Sequence, residues 1–237
     1  MFKYGRSLYE SNDVYSVHHY KNHAEWLSGR TVMHGVGGSD AAAAIGRSPW
    51  RTNVELWRIK TGRSTAPDIS DSRRVQDGVN EEEPIRRLFQ VETQDRYEVQ
   101  YLDNTILQNI KHQEMLYSPD GLLIDKKTGK HGILEIKTTE IMKSFDREKW
   151  GTKEAPAIPD NYYVQILHGM NVTGFEFAVL YARLKYPDGS LIFRPADTYK
   201  TTAEDTAEDR QWIKNGVIEF WKYVSTDREP ALILPKI

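Results

Sequence analysis

The sequence predicts a mixed α/β fold, a central β-sheet flanked by helices. Three observations predict it. Helix-period stretches fill the first third of the chain, alternating strand-like runs follow, and a helix, two strands and a closing helix complete it. Lys127-Thr128-Gly129 and Pro187-Asp188-Gly189 each lie between apolar runs and mark turns. With 39% apolar and 28% charged residues, the 237-residue chain can bury a sizeable core without covalent staples.

Residues 1–20 are polar and aromatic without a clear period and read as an N-terminal arm; 21–237 read as one domain. A short helix is expected at 23–28, carrying Trp26 and Leu27. The run Gly35-Val36-Gly37-Gly38 follows. Ser39 is placed to cap an Ala-rich helix at 40–45, ended by Gly46. A helix at 53–60 stops at Gly62, and 63–71 form a polar loop. A long helix covers 72–89. Strands are expected at 97–102, 106–110 and 115–117, and 122–124 pairs with 133–138 as a hairpin. A helix at 161–170, strands at 176–184 and 191–193, and a closing helix at 203–224 finish the order. Trp212, Ile213, Val217, Ile218, Phe220 and Trp221 make the closing helix a core element, with packing against a second subunit as the lesser alternative. There is no internal repeat.

The absence of cysteine excludes disulfide frameworks, thiolate zinc sites and iron–sulfur ligation. No apolar run is long enough to span a bilayer, and the first residues lack an apolar secretory core. A cytoplasmic protein of a bacterial or phage-infected cell, with no membrane partner, is the expectation. The net charge of −2 argues against a broadly basic nucleic-acid binder but leaves room for a local basic groove beside an acidic metal site. His18, His19, His23, His34, His112 and His168 show no convincing metal spacing and read as surface or satisfied polar residues.

The chemistry concentrates in four segments. In Leu134-Glu135-Ile136-Lys137, strand alternation puts Glu135 and Lys137 on one face and Leu134 and Ile136 on the other. Alone, this also describes an edge strand with a solvated face. Ser118-Pro119-Asp120-Gly121 places an aspartate at the mouth of the preceding strand, although it also spells an ordinary turn. If the two strands pair, Asp120 approaches Glu135, and two such carboxylates call for a cation. A hard divalent ion with oxygen ligands fits, and Mg2+ is the expectation, with Mn2+ as substitute. On the long helix, Glu82 falls on the stripe of Val75, Val79, Ile85, Leu88 and Phe89, with Glu81 and Glu83 turned toward solvent. Its partner is either that cation or a basic residue in an ion pair. On the next helix Tyr162, Gln165 and Gly169 share a face, so Gln165 can meet a phosphate oxygen or a water, or simply border the core.

Two Mg2+ ions held by Glu82, Asp120, Glu135 and the Ile136 carbonyl would supply an activated water and stabilise a leaving oxygen, as phosphodiester hydrolysis requires. Lys137 would orient or deprotonate that water, provided burial and the metal lower its pKa.

These residues, in this order, resemble the YqaJ-type viral recombinases, the phage lambda exonuclease-like family of the PD-(D/E)XK nuclease superfamily. The resemblance spans roughly residues 24–225. It rests on Gly37-Gly38-Ser39-Asp40, Gly46-Arg47-Ser48-Pro49-Trp50, Glu55-Leu56-Trp57, Gly78 through Glu82 to Phe89, Ser118-Pro119-Asp120-Gly121, Leu134-Glu135-Ile136-Lys137 and Tyr162-Tyr163-Val164-Gln165. It implies a restriction-endonuclease-like core and two-metal cleavage by Asp120, Glu135, Lys137 and Glu82, with Gln165 in the active site. It also implies that Arg30 and Ser39 receive a terminal 5′-phosphate, with Tyr162 beside the DNA. From the residues alone, Arg30 is equally a surface arginine and Ser39 an N-cap. The family implies 5′→3′ exonuclease action on double-stranded DNA ends in phage-type recombination, a ring-shaped trimer and a single-strand annealing partner. An endonuclease or a nuclease of other polarity would use the same site, and a non-catalytic DNA-binding protein would keep only the fold. The loop holding Lys126, Lys127, Lys130 and His131 departs from the compact family pattern, as a surface hairpin or as a basic contact to phosphate.

Overall fold

The structure is a computed structural model and describes residues 7–68, 71–141, 148–152, 155–186, 188–193 and 199–234, without the side chains of Arg74, Val75 and Phe193. Its helices are α1 (His23–Val32), α2 (Gly38–Ala44), α3 (Asn53–Lys60), α4 (Arg73–Glu92), α5 (Asp160–Thr173) and α6 (Ala207–Ser225). Its strands are β1 (Tyr15–His19), β2 (Tyr97–Gln100), β3 (Thr105–Asn109), β4 (Leu116–Tyr117), β5 (Gly121–Asp125), β6 (His131–Glu140), β7 (Phe177–Lys185), β8 (Leu191–Phe193) and β9 (Lys200–Thr202).

A six-stranded mixed sheet runs β2-β5-β6-β7-β8, with β9 also on β7. β5 and β6 are antiparallel, whereas β6 and β7 are parallel and joined through α5. A smaller sheet, β1-β3-β4, stands apart. The expected fold class is therefore the observed one. β6 is interior rather than the solvated edge its alternation also allowed.

Each element has a local cause. Thr52 and Glu55 form a reciprocal capping box that starts α3. In the β5–β6 hairpin, Asp125 Oδ1 accepts from the Lys127 and Thr128 amides, and Gly129 takes the left-handed conformation the turn needs (φ 71°). Ile213, Val217 and Phe220 bury the inner face of α6, as a core helix should.

Residues 15–19 of the arm are ordered as β1, paired with β3, and 200–202, given no element from the sequence, form β9. Three expectations are corrected. Ser39 does not cap α2: Gly37 is the N-cap and Ser39 is the exposed second helical residue. Val79 is 65% exposed, so the apolar stripe of α4 narrows to its C-terminal half, where Ile85 and Phe89 are buried. Glu81 does not face open solvent but pairs with Arg183 of β7. The Val75 side chain and Pro187 lie outside the described residues.

The two faces of β6 separate the core. Leu134 and Ile136 join Ile85 and Phe89 of α4, Tyr97, Phe177, Val179 and Tyr181. Ile133, on the other face, joins the larger cluster under α2, α5 and α6. Among the described residues, no helix is long and apolar enough to cross a membrane.

Candidate active site

The register sets the site. Gly121 faces Leu134 across the β5–β6 ladder, so Asp120, just before β5, falls beside Glu135. Asp120 Oδ2 accepts the Ile136 N–H at 2.7 Å. Burial pushes the Asp120 carboxyl well above the usual aspartate range. The charges of Glu135 and Glu82 push it further, against the opposing effects of Lys137 and the Ile136 amide.

Glu135 is 1% exposed. A bare carboxylate there would cost several kcal/mol, so it needs compensating partners. It has three. Tyr117 Oη donates to Oε2 at 2.8 Å, Lys137 Nζ sits 2.6 Å from Oε1, and Gln165 Nε2 also donates to Oε1. Gln165 reaches this point because α5 carries Gly169 where it crosses the strands: a Cβ there would lie 2.7 Å from Tyr117 Cζ. Burial and the Glu135 charge drive the Tyr117 phenol up, so it stays a donor.

Burial alone would lower the Lys137 pKa, but Glu135 and Asp120 outweigh burial and hold the ammonium above the ordinary lysine range. Its Nζ lies 5.2 Å from the Tyr162 ring centroid, a cation–π distance.

Glu82 approaches from α4. Arg86 Nη1 donates to Glu82 Oε1 at 3.0 Å and to the Asp120 carbonyl at 3.2 Å. The basic partner weighed from sequence is thus present. Burial raises the Glu82 pKa, Arg86 lowers it, and Glu135 raises it again. Glu82 therefore shares the electrostatic site without a hydrogen bond to Asp120, Glu135 or Lys137 among the described residues. No group of three or more acidic or histidine side chains, among those described, is gathered closely enough to hold a metal ion together.

The remaining candidates fall around the start of α2. Arg30, at the end of α1, stacks on Trp26 at 4.8 Å, and its Nη2 lies 3.8 Å from where a Gly37 Cβ would be. The Gly38 backbone in turn lies against Gln165 and Tyr117. Arg30, Ser39 and Gln165 thus belong to one neighbourhood. His168, buried under it, sets its Nε2 between the carbonyls of Val36 and Leu116. Burial lowers its pKa to about 4, so it is a neutral tie between α5, β4 and the strand-like approach to α2. The lysine-bearing hairpin is at the opposite end of β5 and β6 from Asp120 and Lys137, and Lys126 Nζ there donates to the Gln94 carbonyl.

Sequence reasoning missed Arg86 and Tyr117. Arg86 had a signal, being four residues after Glu82 on one helix face. Tyr117 had none beyond its place before Ser118-Pro119-Asp120.

Comparison with known proteins agrees with this architecture. "Uncharacterized protein YqaJ" of Bacillus subtilis (strain 168) is 28% identical over 209 residues, covering 88% of this chain. The chain spans only 58% of that relative's length. The crystal structure of an alkaline exonuclease, LHK-Exo, from Laribacter hongkongensis superposes with a TM-score of 0.61 at 18% identity, covering 86% of this chain and 94% of that one. LHK-Exo in complex with dAMP gives 0.60 over the same shares. At that identity the likeness establishes the shared mixed α/β fold. The YqaJ-like viral recombinase domain matches residues 25–176, which hold most of α1, all of α2 through α5 and every candidate site residue, and the chain belongs to that family.

Proposed function

We propose that this chain is a Mg2+-dependent deoxyribonuclease, an exonuclease acting 5′→3′ on double-stranded DNA ends in phage-type recombination. The observation that carries the reading is Glu135: a buried carboxylate held by Lys137, Gln165 and Tyr117, next to Asp120. The family membership supports a role in recombination, and the likeness to an alkaline exonuclease supports end-directed cleavage. A nucleoside monophosphate such as the dAMP bound to LHK-Exo is what this chain would release.

The donor set suits a hard cation. The charge of Glu135 raises the proton affinity of both Asp120 and Glu82, and Glu82 adds to that of Asp120, a crowding of negative charge that a divalent ion would relieve. Glu82, Asp120, Glu135 and the Ile136 carbonyl would hold Mg2+, or Mn2+ in its place, two ions being the expected number. When bound, the metal supplies an activated water and neutralises charge on the leaving oxygen. Lys137 holds positive charge beside Glu135 and orients groups there. Gln165 fixes Glu135 and can turn its amide toward a phosphate. Arg30, Ser39 and Tyr162 would receive the 5′-phosphorylated end. A ring-shaped trimer and a single-strand annealing partner belong to the same reading.

A second reading, a non-catalytic DNA-binding protein of this fold, draws on one observation: each carboxylate already has its own hydrogen-bond partners. Digestion of end-labelled linear duplex and of closed circular DNA, with and without Mg2+, separates the readings. The exonuclease requires Mg2+ and a free end and shortens 5′ ends. Nicking of circles would redirect the proposal to an endonuclease. No cleavage, together with no heat of Mg2+ binding in titration calorimetry, would leave the binding protein.

A further inference from the structure

Arg86 touches the candidate site at three points and has no part in the chemistry proposed above. It lies on α4, four residues after Glu82, and is only 6% exposed. A guanidinium so buried must have its charge and its donors met. One nitrogen, Nη1, meets two acceptors at once: Glu82 Oε1 at 3.0 Å and the Asp120 main-chain carbonyl at 3.2 Å. The guanidinium carbon lies 3.3 Å from the centroid of the Tyr101 ring, in cation–π contact. Tyr101 is held in turn, its hydroxyl donating to Asp103 Oδ1 at 2.6 Å. Arg86 thus links α4, the entry to β5 and the segment that follows β2.

This stretch of α4 needs such links. Val79 is largely exposed, whereas Ile85 and Phe89 are buried, so Glu82 stands just before the packed half of the helix. Ion pairs fasten it there: Glu81 to Arg183 of β7, and Glu82 to Arg86. A glutamate without such a partner would sample several rotamers. Two of the three Arg86 contacts, the Asp120 carbonyl and the Tyr101 ring, do not involve Glu82. Arg86 therefore keeps its place when Glu82 takes another partner through Oε2, which accepts no hydrogen bond from the described residues.

We propose that Arg86 is a positioning residue: it holds Glu82 Oε1 and the Asp120 main chain in one frame, so that the second Glu82 oxygen and the Asp120 carboxylate remain available together to a divalent cation. The inference rests on the nuclease reading. A mere counter-ion would act in the opposite sense. Its positive charge repels a second cation, so removing it would tighten metal binding. The sign of the effect separates the two roles.

Arg86→Met keeps the aliphatic stem and removes the charge and the donors. In titration calorimetry of the folded protein with Mg2+ alone, affinity is expected to fall roughly tenfold. With end-labelled linear duplex, kcat should fall at unchanged KM for DNA. Parental or tighter Mg2+ binding overturns the assignment. Tyr101→Leu removes only the ring beneath the guanidinium and should weaken Mg2+ binding about threefold. It decides the matter if Arg86→Met does not fold, and parental affinity in it then overturns the assignment. The wild-type protein separates this from the nuclease reading. A wild type that neither binds Mg2+ nor cuts removes that reading and this assignment with it, whereas a wild type that does both, beside an unchanged Arg86→Met, removes the assignment alone.

Discussion

The two faces of β6 carry the same backbone and opposite chemistry. Toward α4, Leu134 and Ile136 sit among Phe89, Tyr97, Phe177 and Tyr181, an aromatic layer whose two tyrosine hydroxyls reach outward to Arg96 and Glu92. Toward α5, Glu135 and Lys137 sit in a network in which both Glu135 oxygens are engaged, Oε2 by Tyr117 and Oε1 by Gln165 and Lys137. The dry face is held by area and packing, which tolerate small shifts. The polar face is held by hydrogen bonds, whose value falls steeply with distance and angle. One face anchors the strand so that the other can keep its geometry. Substitutions on the two faces should therefore separate stability from activity.

The sharpest break comes on the polar face at Lys137. Lys137→Ala should abolish cleavage, a loss on the order of 1000-fold or more, while gel-shift affinity for duplex DNA stays near the parent's. Turnover close to the parental rate would refute its role. Asp120→Asn comes next, with a loss of about 100-fold or more. This variant carries a second readout. The folded-state pKa of Asp120 is raised, so the folded protein binds the proton more tightly than the unfolded chain, and stability declines as pH rises from the unfolded pKa through the folded one. At neutral pH the charged carboxylate is thus a liability to folding. Asparagine keeps an acceptor for the Ile136 amide without the charge. Tm should rise at pH 7, by about 2–4 °C for each kcal/mol gained, and the gain should vanish in acid, below both pKa values. A Tm that falls at pH 7 would contradict the crowding of negative charge.

The dry face should behave in the opposite sense. Leu134→Ala removes a fully buried side chain and should cost about 3 kcal/mol in urea unfolding, while kcat per folded molecule holds within about threefold. A large kcat loss in a still-folded protein would mean that the faces are not independent. The smallest effect is expected furthest from the carboxylates. Arg30→Ala should cut the preference for a 5′-phosphorylated over a 5′-hydroxyl end by roughly tenfold. Equal loss on both ends would place Arg30 outside end recognition.

Legibility followed locality. α3 was readable to its bounds, because Thr52, the apolar residues and Gly62 all lie within a dozen positions. The alternation of Leu134, Glu135, Ile136 and Lys137 was equally local. β1 was not readable: Tyr-Ser-Val-His-His has no clean alternation, and its register partner for Tyr15 is Asn109, far along the chain. β9 is three residues long and exists only as an addition to β7. The exposure of Val79 was hidden for the same reason, since a helical stripe says which residues share a face but not how far a neighbour extends beneath it.

The sequence by itself determined the mixed α/β class, the strand carrying Glu135 and Lys137, the turn presenting Asp120 and the helix face bearing Gln165, because each follows from a backbone period or a local turn. Only the tertiary structure decided which donor meets which carboxylate oxygen: Tyr117 and Gln165 on Glu135, Arg86 on Glu82, the Ile136 amide on Asp120. Those pairings depend on ångström-scale placement where α5, α4 and β4 cross the sheet. That placement is set by packing among residues distant in the chain, and no local pattern encodes it.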